Sequence, residues 1–222
     1  MPRIARGLAD GYIYYVINRG NGGQKVFHIV LMPERSEYLS KWMQWLMTSH
    51  VRRYHRHYGT SGHVWQGRFK SFIIQEDVHL LMVLRYIEGN PVRAGLARSA
   101  KDWRWSSHKW RINKGAGFLV EEVPIELPED WDRYVDEPFT EKELESLHRS
   151  VNRQSPFGDF EWQRRVSEKF GEEGQGRMRK SKRKVACPLS VFLRDSLGTA
   201  LLKICIFCLT AFFIGDPMGE LR

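Results

Sequence analysis

Residues 12–18 read YIYYVIN, residues 19–23 read RGNGG, and residues 26–32 read VFHIVLM before Pro33. The first and third stretches are rich in aromatic and β-branched residues and predict two strands. The Gly-rich stretch between them is turn material. Together they predict a hairpin. Both strands are almost continuously apolar, so the sheet they found is expected to be covered on at least one face.

Beyond the hairpin, residues 34–57 predict a long helix. Ser36 is placed to cap it, and Leu39, Trp42, Met43, Leu46 and His50 recur at steps of three and four along one face. A basic-aromatic run, VRRYHRHY at 51–58, leads to Gly59, which is expected to stop the helix. Residues 64–74 (VWQGRFKSFII) predict a strand with a bend at Gly67, and residues 75–89 a second helix carrying Val78, Leu81, Met82, Leu84 and Tyr86. Asn90-Pro91 should end that helix. Further helices are expected around 140–152 and 157–170. Residues 197–215 are strongly apolar, with one internal charge at Lys203.

The chain has 222 residues, 42% of them apolar and 13% aromatic, so a packed core is within reach and global disorder is not expected. Its three cysteines, Cys187, Cys205 and Cys208, all lie late, which excludes a disulfide-stapled secreted fold. No apolar signal-like stretch follows Met1, so a cytoplasmic location is expected. The formal charge is +9 and unevenly spread. Residues 1–115 hold 19 basic and 7 acidic side chains (19 − 7 = +12), and residues 116–150 hold 3 and 11 (3 − 11 = −8). Three segments follow: a basic domain at 1–115, an acidic linker with peripheral helices at 116–176, and a basic run plus apolar tail at 177–222.

Dense positive charge attracts polyanions, nucleic acid foremost. Arg52, Arg53, Arg56, Arg68, Lys70, Arg104 and Lys109 are interleaved with Trp65, Trp103 and Trp105. Cations neutralise phosphates and flat rings stack on unpaired bases, a combination that favours single-stranded or hairpin DNA over plain duplex. The alternative is that each tryptophan serves the core.

Three segments, GHVWQGRFKSF at 62–72, LRYIEGNPVRAG at 84–95 and DWRWSS at 102–107, resemble the REP-associated tyrosine transposases. These are insertion-sequence-200-like transposases of the HUH single-strand endonuclease superfamily, and the likeness extends over about residues 5–115. It implies an α+β fold, a ferredoxin-like antiparallel sheet with packed helices. It also implies DNA transposition by a tyrosine hydroxyl that attacks a phosphodiester, leaving a 5′-phosphotyrosine link and a free 3′-OH. Mg²⁺ or Mn²⁺, held by two histidines of a His-x-His strand and a polar residue of the tyrosine helix, would polarise the phosphate. Carried onto this sequence, the tyrosine is Tyr86, the helix ligand Asn90 and the surviving strand histidine His28; Arg93, in the same segment, joins the DNA-contact set.

The chain departs from the pattern at the strand. The position of the first histidine is Val26, and the helix and edge strand that family members carry between their first and His-x-His strands are missing. A loss of about 35–40 residues would account for this. It would leave one imidazole beside one amide, a poor set for a hard cation, and catalysis would be impaired. It should also leave a sheet face exposed. His55 and His57 have the i, i+2 spacing but sit on a helix, where such residues point about 200° apart; they are expected to face phosphate or cap the helix. A non-catalytic hairpin-binding module and an inactive remnant are the competing readings. A homodimer is a further alternative; no small-molecule substrate or membrane partner is expected. For the apolar tail, three readings compete: out-of-frame sequence, a buried or associating helix, and a membrane span.

Overall fold

The computed structural model describes residues 8–21, 25–113, 123–173 and 204–211. Strands β1 (Ile13–Arg19) and β2 (Lys25–Pro33) pair antiparallel, from Tyr14 opposite Leu31 to Arg19 opposite Lys25. Strand β3 (Lys70–Ile74) pairs antiparallel with the other edge of β1, and β4 (Ile204–Ala211) with the other edge of β2. The sheet order is β3-β1-β2-β4. An antiparallel sheet packed with helices is the expected α+β class.

The absence of polar positions in most of β1 has a direct cause. Successive side chains of a strand point to opposite faces, and here both faces are covered. Ile13, Tyr15 and Ile17 join Val30, Phe72 and Ile74 in one core, closed by Leu80, Val83, Leu84 and Ile87 of helix α2 (Val78–Glu88). Tyr14 and Val16 join Ile29, Leu31 and Ile73 in the other, closed by Leu39, Trp42 and Met43 of helix α1 (Ser36–Tyr58). The expectation of an exposed sheet face is therefore not met.

The segment at 116–176 is more than a linker. After α3 (Asn90–Arg93), a 3₁₀ turn (Ala100–Asp102) and α4 (Ser107–Ile112), helices α5 (Trp131–Asp136) and α6 (Glu141–Arg153) give Trp131, Val135, Leu147 and Val151 to the α2-side core. Helix α7 (Phe160–Glu173) gives Val166 to the α1-side core. Each core thus contains residues from both sides of position 115.

Several local expectations are corrected. Ser36 does not cap α1; it is the first helical residue, and its N–H donates to Asp10 Oδ1 at 2.6 Å. The strand foreseen at 64–74 shrinks to its last five residues, with Trp65 retained only as an isolated bridge to Gly20. Helix α2 does end just before Asn90-Pro91, at Glu88, but these residues also open α3, where proline at the first turn lacks only an N–H that would have no partner. Residues 204–211 form a strand, so the helical readings of the apolar tail fail there. The basic run at 177–184, Cys187 and Lys203 lie outside the described residues. Among the described residues, no helix is long and apolar enough to cross a membrane.

Candidate active site

Tyr86 stands near the C-terminal end of α2, a helix whose ends are both fixed. At its start, Asp77 Oδ1 accepts the His79 N–H at 2.8 Å. At its end, the wholly buried Glu88 carboxylate accepts from Ser107 Oγ at 2.7 Å, His108 Nδ1 at 2.8 Å and Trp131 Nε1 at 2.7 Å. Burial alone would raise the Glu88 pKa; the His108 hydrogen bond, with the charges of Arg111 and His108, overrides it and holds the carboxyl at about 2. The same contact works on His108. Burial lowers its pKa, but the hydrogen bond and charge of Glu88, followed by those of Asp132, raise it on balance. Two of the segments that carry the resemblance, one containing Glu88 and one containing Ser107, meet at this carboxylate.

One helical turn after Tyr86, the Asn90 side chain lies against β2. Its Nδ2 donates to His28 Nε2 at 3.0 Å. The opposite ring nitrogen of His28 then carries the proton, and Nδ1 donates to the Tyr15 hydroxyl at 2.5 Å. The His28 ring centroid is 6.3 Å from that of Tyr86. The three residues expected as nucleophile and metal ligands therefore converge from β2, α2 and α3. His28, Tyr86 and Asn90 are all buried.

The Tyr86 hydroxyl has a neighbour the sequence did not suggest. It shares a hydrogen bond with His148 Nε2 on α6 at 3.3 Å. Helix α6 is held there by Arg85, whose guanidinium donates to the carbonyls of Glu137 and Pro138 at 3.1 Å each and lies over the Phe139 ring at 4.3 Å. Thr140 then starts α6 with a reciprocal capping box to Glu143. Arg93 is also drawn in: its guanidinium lies 4.2 Å from the Tyr86 ring centroid and donates to the Tyr86 carbonyl. Only the TxxE cap of α6 was visible locally; nothing in the sequence around His148 pointed toward Tyr86.

The residues present do not suit a divalent metal ion. Both ring nitrogens of His28 are engaged by neighbours, and the Arg93 guanidinium sits 3.5 Å from Asn90 Oδ1, the one amide oxygen a cation would use. Among the described residues, no three His, Cys, Asp or Glu side chains gather as a metal site would require. Mg²⁺ and Mn²⁺ prefer a larger set of oxygen donors.

The DNA-contact candidates divide between the two faces of the sheet. Arg52, Arg53 and Arg56 are on the last turns of α1, the helix that covers the face opposite Tyr86, with Arg52, Arg53 and Arg56 all exposed. Trp65 is half-buried on that side; its Nε1 donates to the Met47 carbonyl at 3.1 Å, and its ring lies 4.8 Å from that of His50. Trp105 is half-buried against the same core, with the Arg104 guanidinium 4.9 Å from its ring centroid. Trp103 is also half-buried. His55 bonds Thr60 Oγ1 and the Gly62 carbonyl, in the loop that follows α1, and not the helix's last carbonyls. On the Tyr86 side, Arg68 and Lys70 line a cleft of about 180 Å³ together with Arg19.

Comparison with known proteins finds a likeness over the segment that carries these residues. The family described as "Transposase IS200 like" matches residues 3–90. A protein of Haemophilus influenzae (strain ATCC 51907 / DSM 11121 / KW20 / Rd), "Putative REP-associated tyrosine transposase", is 37% identical over 75 residues. That likeness covers 33% of this chain and 36% of the relative, so the chain spans about a third of the relative's length. No solved structure matches the chain. Over residues 3–90, which carry β1, β2, α1, β3 and α2 with His28, Tyr86 and Asn90, the chain is similar to the IS200-like transposases.

Proposed function

We propose that this protein binds single-stranded or hairpin DNA and descends from enzymes that cut and rejoin it through Tyr86. The observation that carries the reading is the convergence of Tyr86, His28 and Asn90 from three separate elements at one buried point. In the cleavage step, Tyr86 Oη forms a bond to phosphorus. The bond from phosphorus to the 3′ oxygen breaks, the 5′ side stays on the tyrosine, and the other side leaves as a free 3′-OH. His148 Nε2, 3.3 Å from the hydroxyl, is placed to take the phenol proton. The reading includes a cytoplasmic location.

Two features support an impaired form of this activity. The donor set around His28 holds Mg²⁺ or Mn²⁺ weakly, because its nitrogens and the Asn90 amide are already engaged. Tyr86 is only 3% exposed beneath Phe139 and α6, so a strand reaches its hydroxyl only when α6 yields. The sheet order supports the internal loss: β1 and β2, consecutive in the chain, are central neighbours, and β4 pairs along the edge of β2 that a missing strand would leave open. These same features favour a second reading, a hairpin-binding module that no longer cuts.

The deciding experiment incubates the full chain with palindromic single-stranded oligonucleotides and Mn²⁺, then looks for a covalent adduct on denaturing gels. The transposase reading expects a weak adduct that Tyr86→Phe abolishes. Salt-dependent binding with no adduct establishes the binding module instead, and absence of both rejects the proposal.

A further inference from the structure

Tyr86, Asn90 and Arg93 stand at i, i+4 and i+7, the spacing that puts three side chains on one face of a helix. That face continues across the joint between α2 and α3, because Gly89 between them has near-helical torsions, φ −80° and ψ −2°. The Arg93 N–H donates to the Gly89 carbonyl at 3.2 Å, which fixes the backbone from which its side chain leaves. The same glycine leaves room for the guanidinium, since a Cβ at position 89 would lie 3.1 Å from Arg93 Nη1. The guanidinium carbon lies 4.2 Å from the Tyr86 ring centroid and 5.2 Å from that of Phe139. Nη2 donates to the Tyr86 carbonyl and sits 3.5 Å from Asn90 Oδ1.

No carboxylate claims this charge. Among the described residues Arg93 makes no ion pair. Arg85, on the same stretch of chain, is tied to the Glu137 and Pro138 carbonyls and lies 3.7 Å from the Glu143 carboxylate. Arg93 is also exposed, whereas Tyr86, Asn90 and His28 beside it are buried.

The Asn90 amide shows which cation the site is built around. Its Nδ2 donates to His28 Nε2, and its Oδ1 is turned to the guanidinium. The reverse orientation would set the amide N–H groups against guanidinium N–H groups, donor against donor. A divalent ion would need Asn90 Oδ1 and His28 Nε2 as joint donors to one point. Here the amide N–H already occupies the imidazole lone pair, and the imidazole N–H donates to Tyr15. The line Tyr15–His28–Asn90–Arg93 thus satisfies both ring nitrogens and both ends of the amide, and it terminates on a positive charge.

We propose that the Arg93 guanidinium holds the place a divalent cation would take, and that it supplies the positive charge to the phosphate attacked by Tyr86. Its location follows from the Asn90 and Tyr86 contacts; its action on a phosphate rests on the DNA-cleaving function proposed for the chain. As Tyr86 Oη bonds to phosphorus, negative charge builds on the two non-bridging oxygens. Guanidinium N–H groups donate to them, in the forked manner in which arginine meets phosphate. The phenol proton passes to His148 Nε2, and the departing 3′ oxygen takes a proton from water. Arg93 itself forms and breaks no bond. One positive charge in place of two polarises the phosphate less, which accords with a weak activity.

Two measurements on the full chain test this. The first is covalent adduct formation with palindromic single strands, in EDTA and in Mn²⁺. The adduct should form at the same rate in both. In EDTA, Arg93→Ala should slow it by about a hundredfold or more, and Arg93→Lys by less. Millimolar guanidinium ion should restore part of the Arg93→Ala loss, which a merely structural role would not allow. The second measurement needs no DNA: in ¹⁵N-labelled protein, Mn²⁺ should leave the side-chain amide signals of Asn90 without selective broadening. An adduct that appears only with Mn²⁺, or selectively broadened Asn90 signals, overturns the place given to Arg93 and leaves cleavage by Tyr86 intact. An adduct in EDTA that Arg93→Ala leaves unchanged overturns its action on the phosphate. No adduct under any condition overturns the cleavage reading and that action together, and the Mn²⁺ spectra then decide whether the guanidinium holds the cation's place.

Discussion

At the scale of single residues, Gly89 shows how tightly the site is set. Its backbone lies at φ −80°, ψ −2°, a conformation open to any residue, so torsional freedom does not explain the glycine. Space does. A Cβ there would come within 2.9 Å of the Val135 carbonyl oxygen on α5 and 3.1 Å of an Arg93 guanidinium nitrogen. The Val135 contact is to backbone, which cannot swing aside. Gly89→Ala gains about 0.4–1 kcal/mol from a stiffer unfolded chain but loses about 1–3 kcal/mol to overpacking. The clash should win, and a lower midpoint in urea unfolding is the expected result. Because Gly89 separates Tyr86 from Asn90, the same variant should also disturb the Asn90–His28 contact.

Among the elements, the junction of α2, α4 and α5 is held by one buried carboxylate and one raised histidine. The two titrations bound its stability on opposite sides. The Glu88 pKa is depressed from 4.5 to about 2, so its contribution is present above pH 4.5 and lost as pH falls toward 2. The His108 pKa is raised from 6.5, so its contribution is present below pH 6.5 and lost as pH climbs through the raised value. The melting temperature should therefore be highest between these limits and fall on the alkaline side. In His108→Gln the alkaline fall attributable to this group should vanish. The variant should also be less stable at pH 6 by about 3 kcal/mol, because it strips a partner from a buried charge.

Across the molecule as a whole, the acidic segment completes a fold that the basic segment starts. Leu147, Val151 and Phe157 belong to the core on the Tyr86 side, and Val166 to the core beneath α1. Phe157 also exchanges backbone hydrogen bonds with Ile73 and Gln75 along β3, at 2.9 Å each. A chain ending at residue 136 would lose Leu147, Val151 and Phe157 from one core and Val166 from the other. Loss of the cooperative thermal transition, followed by circular dichroism, is the expected outcome. A sharp two-state melt of that fragment would show that residues before 137 fold alone.

Local signals were enough to specify the β1–β2 hairpin, the long α1 stopped at Gly59, and α2 with Tyr86 one turn before Asn90. Strand-forming composition, three- and four-residue periodicity and turn residues are each read within one element. The pairing of Tyr86 and Asn90 with His28 was legible too, though only through the resemblance, since 62 positions separate Asn90 from His28. The remaining arrangement came from tertiary packing. His148 reaches Tyr86, Arg19 joins Arg68 and Lys70, and residues 204–211 become an edge strand instead of a helix. The physical reason is the same in each case. These contacts join elements far apart in the chain, and an exposed histidine on an amphipathic helix, or an apolar run of ambiguous period, takes its role from the surface it meets.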